Sequence, residues 1–184
     1  MGLWIGLKTN SEVSKIPRQK ITREMILSEA FEITREFGID SVNTGVVSKS
    51  LGCSVQPIYS YFKNMDDLKI AIYNKTHREF NDRFNSGMSM ETAISEYVKF
   101  AYEERNLFSL LFLGNFKELY SKSKKLDGKN DIFTELLNEE KKDNKKFEQF
   151  VFAHGIASLI VNDKLDMSFE EIRKRIKRFN SKTE

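Results

Sequence analysis

Between residues 44 and 63 the chain gathers side chains that hold hydrogen bonds, Thr44, Gln56, Tyr59, Ser60, Tyr61 and Lys63, on either side of a Gly52-Cys53 pair. The same stretch carries Lys49 and no Asp or Glu. This is binding chemistry of a particular kind. Hydrogen-bonding groups left to face outward, flanked by Lys49 and Lys63, have the local sign that a phosphate backbone demands. A carboxylate in the strip would repel a phosphate backbone, so its absence belongs to the pattern. Residues 8–23 add Lys8, Lys15, Arg18, Lys20 and Arg23 against Glu12, a local +4 in a chain whose formal total is only +3.

Catalysis has little to work with. Cys53 is the single cysteine, which excludes an internal disulfide and a multi-cysteine zinc site, and His77 and His154 do not make a histidine-rich metal centre. Cys53 reads as a small apolar plug in a turn rather than a redox sensor. No nucleophile–base arrangement, phosphate-cradling Gly loop or metal-spaced set occurs, so a protein without enzymatic activity, cofactor or metal is expected. The apolar start, Leu3, Trp4, Ile5 and Leu7, has no basic residue before it, unlike a secretory signal. The longest apolar tract, residues 147–161, is broken by Glu148, Gln149, His154 and Ser158 and falls short of the ~20 residues of a membrane span. A cytoplasmic protein without membrane contact is expected.

The elements that must position the binding strip are helical. Two prolines and nine glycines in 184 residues are too few breakers for a sandwich or barrel, and no segment alternates as a strand does. Thr22 is a good N-cap and Gly38 a good terminator for a first helix, in which Ile26, Ala30, Ile33 and Phe37 form one apolar stripe. A short second helix spans residues 44–51, and a third spans 54–62 with Pro57 in its first turn, where a missing N–H costs nothing. Val47 and Leu51 face Ile58 and Phe62, Ser48 is small where the helices cross, and Gly52 permits the tight turn. This is helix-turn-helix spacing.

Beyond it, a long fourth helix follows Asn64 and runs toward Gly87, with Asp66 and Asp67 at its positive end. A fifth starts near Ser89. Residues 107–120, apolar on more than one face and containing Gly114, predict a bent or broken helix. Residues 121–130 read as a surface loop, 131–140 as a helix and 144–161 as an apolar helix. Ser168 and Glu171 form a capping box before Ile172, Ile176 and Phe179.

The segment TGVVSKSLGCSVQPIYSYFKNMDDL, residues 44–68, resembles the DNA-binding core of bacterial transcriptional regulators of the TetR/AcrR type, most specifically in Ile58-Tyr59-x-Tyr61-Phe62-Lys63-Asn64. The resemblance covers residues 22–73 and continues weakly in 100–112 and 152–157. Gly45 and Ser48 depart from the polar residue and Ala common at those positions, and Met65 stands where a phosphate-contacting Lys is usual. It implies an all-α fold, with a flexible basic arm (1–21), a three-helix DNA-binding domain (22–64) and a helical ligand-binding and dimerisation bundle (65–184).

Thr44, Lys63, Tyr59 and Tyr61 are then phosphate contacts, and Val55, Gln56, Pro57 and Ser60 face base edges. Partial core packing is the plain alternative for the two tyrosines. Ten of the 15 phenylalanines lie after residue 98, and most of them fill a core whatever else they do. The resemblance places a ligand cavity among them, lined by Phe100, Phe112 and Phe116, with Tyr97, Arg105, Asn115, Tyr120 and His154 as polar contacts. It implies a homodimeric repressor, joined through its C-terminal helices and released from a double-stranded DNA operator by a small apolar or aromatic effector. The competing reading is a helical protein-interaction module that never touches DNA.

Overall fold

Thr22 opens the first helix by accepting the Met25 amide on its hydroxyl oxygen at 3.2 Å, which relieves one of the unbonded N–H groups of a helix start. The computed structural model describes residues 20–84, 87–114, 121–122 and 144–182. Within it α1 (Arg23–Phe37) buries Ile26, Ala30, Phe31, Ile33 and Thr34 and ends at Gly38, whose φ of +82° suits glycine. Phe37 does not join this face: it is 62% exposed. It shares the stripe's angular position but is the last residue of α1.

A 3₁₀ turn (Ile39–Ser41) leads to α2 (Thr44–Ser50), capped by the Asn43 side chain, which accepts from the Val46 amide at 3.0 Å. α3 is Gln56–Tyr61, two residues later in its start than predicted. The reason is the turn: the Cys53 amide donates to the Ser48 carbonyl at 3.0 Å, and Gly52 stands at φ +62°. Residues 51–55 are consumed in reversing the chain. Cys53 is half-buried in this turn.

α4 (Met65–Asn81) begins at the Asn64 side chain, which accepts from the Asp67 amide at 2.9 Å. It ends at Asn81 rather than near Gly87, which lies in the link to α5 at φ +105°. α5 (Met90–Glu103) is capped by Ser89, and of the segment 107–120 predicted to bend or break, residues 107–114 are described and 115–120 lie outside the described residues. A short α6 (Arg105–Phe108) widens into a π turn (Ser109–Leu113) and stops at Gly114. The predicted helix 131–140 and most of the predicted loop 121–130 lie outside the described residues, although Ser121 and Lys122 are themselves helical. α7 (Asn144–Val161) and α8 (Phe169–Lys182) complete the described chain. Ser168 and Glu171 form the expected reciprocal cap: the Ser168 amide and hydroxyl both donate to the Glu171 carboxylate, at 3.0 and 2.7 Å.

α2 and α3 both pack on α1, and these three form the head; α5 to α8 form the body, whose α6 also packs on α1. α4 belongs to both: it packs on α1, and its Phe80 ring meets that of Phe100 on α5, all within one continuous core. α7 lies along α5, burying Ala153, Ala157 and Ile160. Its other side leaves Phe147, Val151 and Leu159 exposed. No described helix is long and apolar enough to cross a membrane.

Candidate nucleic-acid interface

α3 has two faces set by its register. Ile58 and Phe62 are 1% and 3% exposed and anchor the helix, while Val55, Gln56, Tyr59 and Ser60, spaced at one turn, share the open side. Val55 and Tyr59 are 43% and 54% exposed, an apolar presentation that water alone does not favour. Pro57 and Thr44 are half-buried, and Lys63 is exposed just past the helix. Ser60 donates its hydroxyl to the Gln56 carbonyl at 3.0 Å, which leaves the oxygen lone pairs for an incoming donor.

Tyr61 is placed differently. Its hydroxyl donates to the Ile21 carbonyl at 3.3 Å, bracing α3 against the segment that leads into α1. The ring stays 40% exposed. Arg23 lies over the Phe62 ring at 4.8 Å, adding a cation beside the brace. Two nearby acids are occupied: Asp67 accepts from the Lys63 amide at 3.2 Å, and Glu29 accepts from the Ser50 hydroxyl. Asn43 is a positioning residue that the reading of α2 from Thr44 passes over. An Asn directly before a helix is the signal for it. The upstream residues 1–19, with most of the basic arm, lie outside the described residues.

The residues expected to line a ligand cavity separate into three groups. Tyr97, Phe100, Phe112 and His154 come together with Phe80, Phe108 and Phe150 in one aromatic cluster, most of whose ring centroids lie 4.8 to 6.4 Å apart. Tyr97 is 2% exposed, and its hydroxyl shares a 2.8 Å hydrogen bond with His154 Nδ1. Phe100 sits under the Arg83 guanidinium at 4.9 Å. Arg105 stands apart: it is exposed at the start of α6 and ion-paired with Asp163 beyond α7. Asn115, Phe116 and Tyr120 lie outside the described residues. Among the described residues no group of His, Cys, Asp and Glu could hold a metal ion.

Burial pushes the His154 imidazole below its ordinary pKa of about 6.5, so it stays neutral where a free histidine begins to take up a proton. The unfolded chain therefore binds the proton first. His154 costs no stability above pH 6.5 and progressively more as pH falls from there toward the lower folded value. A thermal unfolding midpoint followed from pH 7.5 to 5 should decline, and the decline should be shallower in His154→Phe. Equal slopes in the two proteins would contradict the assignment.

These features define a helix-turn-helix head on an all-helical body. No protein-family model matches the chain. A 58-residue stretch, 32% of the chain, is 38% identical to an HTH-type transcriptional repressor of Mycobacterium tuberculosis and to an uncharacterized HTH-type transcriptional regulator of Mycobacterium bovis. The match spans 22% of the length of those relatives. Among solved structures, the fatty acid degradation regulator FadR from Bacillus halodurans superposes with a TM-score of 0.55 at 18% identity, over 88% of this chain and 96% of that one. That neighbour shares the architecture of an N-terminal helix-turn-helix and a C-terminal helical part.

Proposed function

We propose that this protein is a sequence-specific DNA-binding transcriptional regulator of the TetR/AcrR type, a repressor that works as a homodimer and leaves its operator when a small apolar or aromatic effector binds. The observation that carries the reading is the open face of α3. Val55, Gln56, Tyr59 and Ser60 project from a helix anchored by Ile58 and Phe62, in a strip free of acidic residues from 41 to 63. Such a helix fits the major groove, with Gln56 toward a base edge and Lys63 on a phosphate. The regulator names of the relatives support it. Selection of bound DNA from a random pool tests it. A defined palindromic motif is expected, and a pool that stays random would favour the protein-interaction reading.

The dimer follows from α7. Phe147, Val151 and Leu159 repeat at helical spacing along its exposed side, and Gly155 completes the row. Among the described residues a Cβ on Gly155 would meet nothing within 4 Å, so their packing does not require glycine there. Mid-helix glycine costs about 1 kcal/mol relative to alanine, which a close crossing by a second α7 offsets. Two-fold symmetry about that point sets Val151 against Leu159 of the partner subunit. An apolar groove of about 720 Å³ between α7 and α8, lined by Phe152, Ile156 and Leu165, adjoins the stripe. Light scattering at micromolar concentration should report two chains for the parent and one for Gly155→Leu, with unchanged helical content. A dimeric Gly155→Leu would move the crossing elsewhere.

A further inference from the structure

The end of α1 is tied to the body by a cluster that takes no part in the α3 face. Arg35, in the last turn of α1, reaches three carboxylates: Glu32 on its own helix at 2.8 Å, Glu79 on α4 at 2.9 Å, and Glu104 at the α5–α6 joint at 3.1 Å. Its guanidinium lies over the Phe31 ring at 4.8 Å, and Lys75 from α4 approaches the same ring at 4.2 Å. Burial works against the charge of Arg35, but the carboxylates of Glu104, Glu32 and Glu79 outweigh it and hold the guanidinium more firmly protonated than a free arginine. Asn106, in α6, donates its side-chain amide to the carbonyls of Arg35 and Glu36, both at 3.0 Å. These are two of the carbonyls that a helix leaves unbonded at its C-terminus. The cap of the head's first helix is thus supplied by the body, 70 and 71 residues along the chain.

We propose that Arg35, Glu79, Glu104 and Asn106 form a clasp that sets the angle at which the DNA-reading head is held on the body, with Arg35 as the positioning residue. A guanidinium is a rigid planar fork, so occupying its edges from three elements fixes their mutual directions. The ion pairs are part-exposed, the side chains of Arg35 and Glu79 being 35% and 39% accessible, so they add little to overall stability. They restrict orientation more than they hold the fold together. Three acidic groups share Arg35, and removing it leaves like charges facing one another across the joint. A lysine keeps the charge but cannot engage three carboxylates in fixed directions.

The proposal rests on the DNA-binding reading only for its second readout. The first is a distance between head and body by double electron–electron resonance. Spin labels are placed at Lys49→Cys on α2 and Glu91→Cys on α5 in a Cys53→Ser background. Dilution with unlabelled protein confines the distances to one chain. Arg35→Lys and Glu104→Gln should fold with melting points near the parent's and give a distance distribution about twofold broader, because the head samples several angles. Their affinity for DNA selected from the random pool should fall about tenfold, in proportion to the lost fraction of competent orientations. Widths equal to the parent's in both variants overturn the clasp. If either fails to fold, Asn106→Ala, which removes only the cap, is read by the same criterion. A broadened distribution in a protein that selects no DNA upholds the clasp and refutes the DNA-binding reading, so the two failures are distinguishable.

Discussion

Phe108→Ala should lower the free energy of unfolding by about 3–5 kcal/mol in urea titration, the largest effect expected of a single truncation in the body. The Phe108 ring is fully buried, its centroid 4.8 Å from that of Phe112, 5.2 Å from Tyr97, and 6.3 and 6.4 Å from His154 and Phe100. Removing it takes a partner from each of four rings at once, and rings held by three helices cannot close the gap. The size of the loss also reads the effector question. A close-packed cluster loses the full transfer and cavity contributions. A cluster built around space for an apolar ligand has lost part of that packing already. A drop under about 1 kcal/mol would show the second arrangement and identify Phe108 as a cavity wall.

The other large effect concerns binding. Gln56→Ala should leave the fold intact, since its side chain is exposed, and reduce discrimination at one base position by about 1–3 kcal/mol. That is a loss of roughly 5- to 150-fold in preference, measured by competition between the selected site and its single-base variants. Lys63→Ala should act differently. It should weaken binding to every sequence alike and lower the slope of log affinity against log salt by about one unit, as one phosphate contact per head disappears. A Gln56→Ala protein that weakens uniformly, with its base preferences unchanged, would remove Gln56 from the reading surface. The two substitutions separate positioning from specificity on the same helix.

Local features were legible without a structure. Thr22, Asn64 and Ser89 cap their helices, and Ser168 with Glu171 closes the reciprocal box, because each bond spans three residues and needs only a helix start to form. The inner face of α3 was equally readable, since Ile58 and Phe62 are four residues apart beside a glycine turn. Element ends that depend on neighbours were not. Phe37 has the angular position of a core residue yet is exposed at the end of α1. α4 stops short of Gly87, and Arg105 turns to Asp163 rather than to the aromatic cluster. Tyr61 donates its hydroxyl to the Ile21 carbonyl, 40 residues away, a contact that no local pattern marks.

The sequence alone determined that this protein is helical, where most of its helices begin, and which short segment carries an acid-free, hydrogen-bonding strip. Those properties depend on composition, periodicity and bonds between near neighbours. Only the tertiary structure decided which aromatic rings meet, that Tyr97 and His154 share a hydrogen bond in the body, and that Arg35 gathers Glu79 and Glu104 while Asn106 caps α1 from the far side of the joint. Partners 44 to 71 residues apart leave no periodic mark in the chain. They are set by how helices cross, and a crossing is decided by the whole packed core rather than by any segment of it.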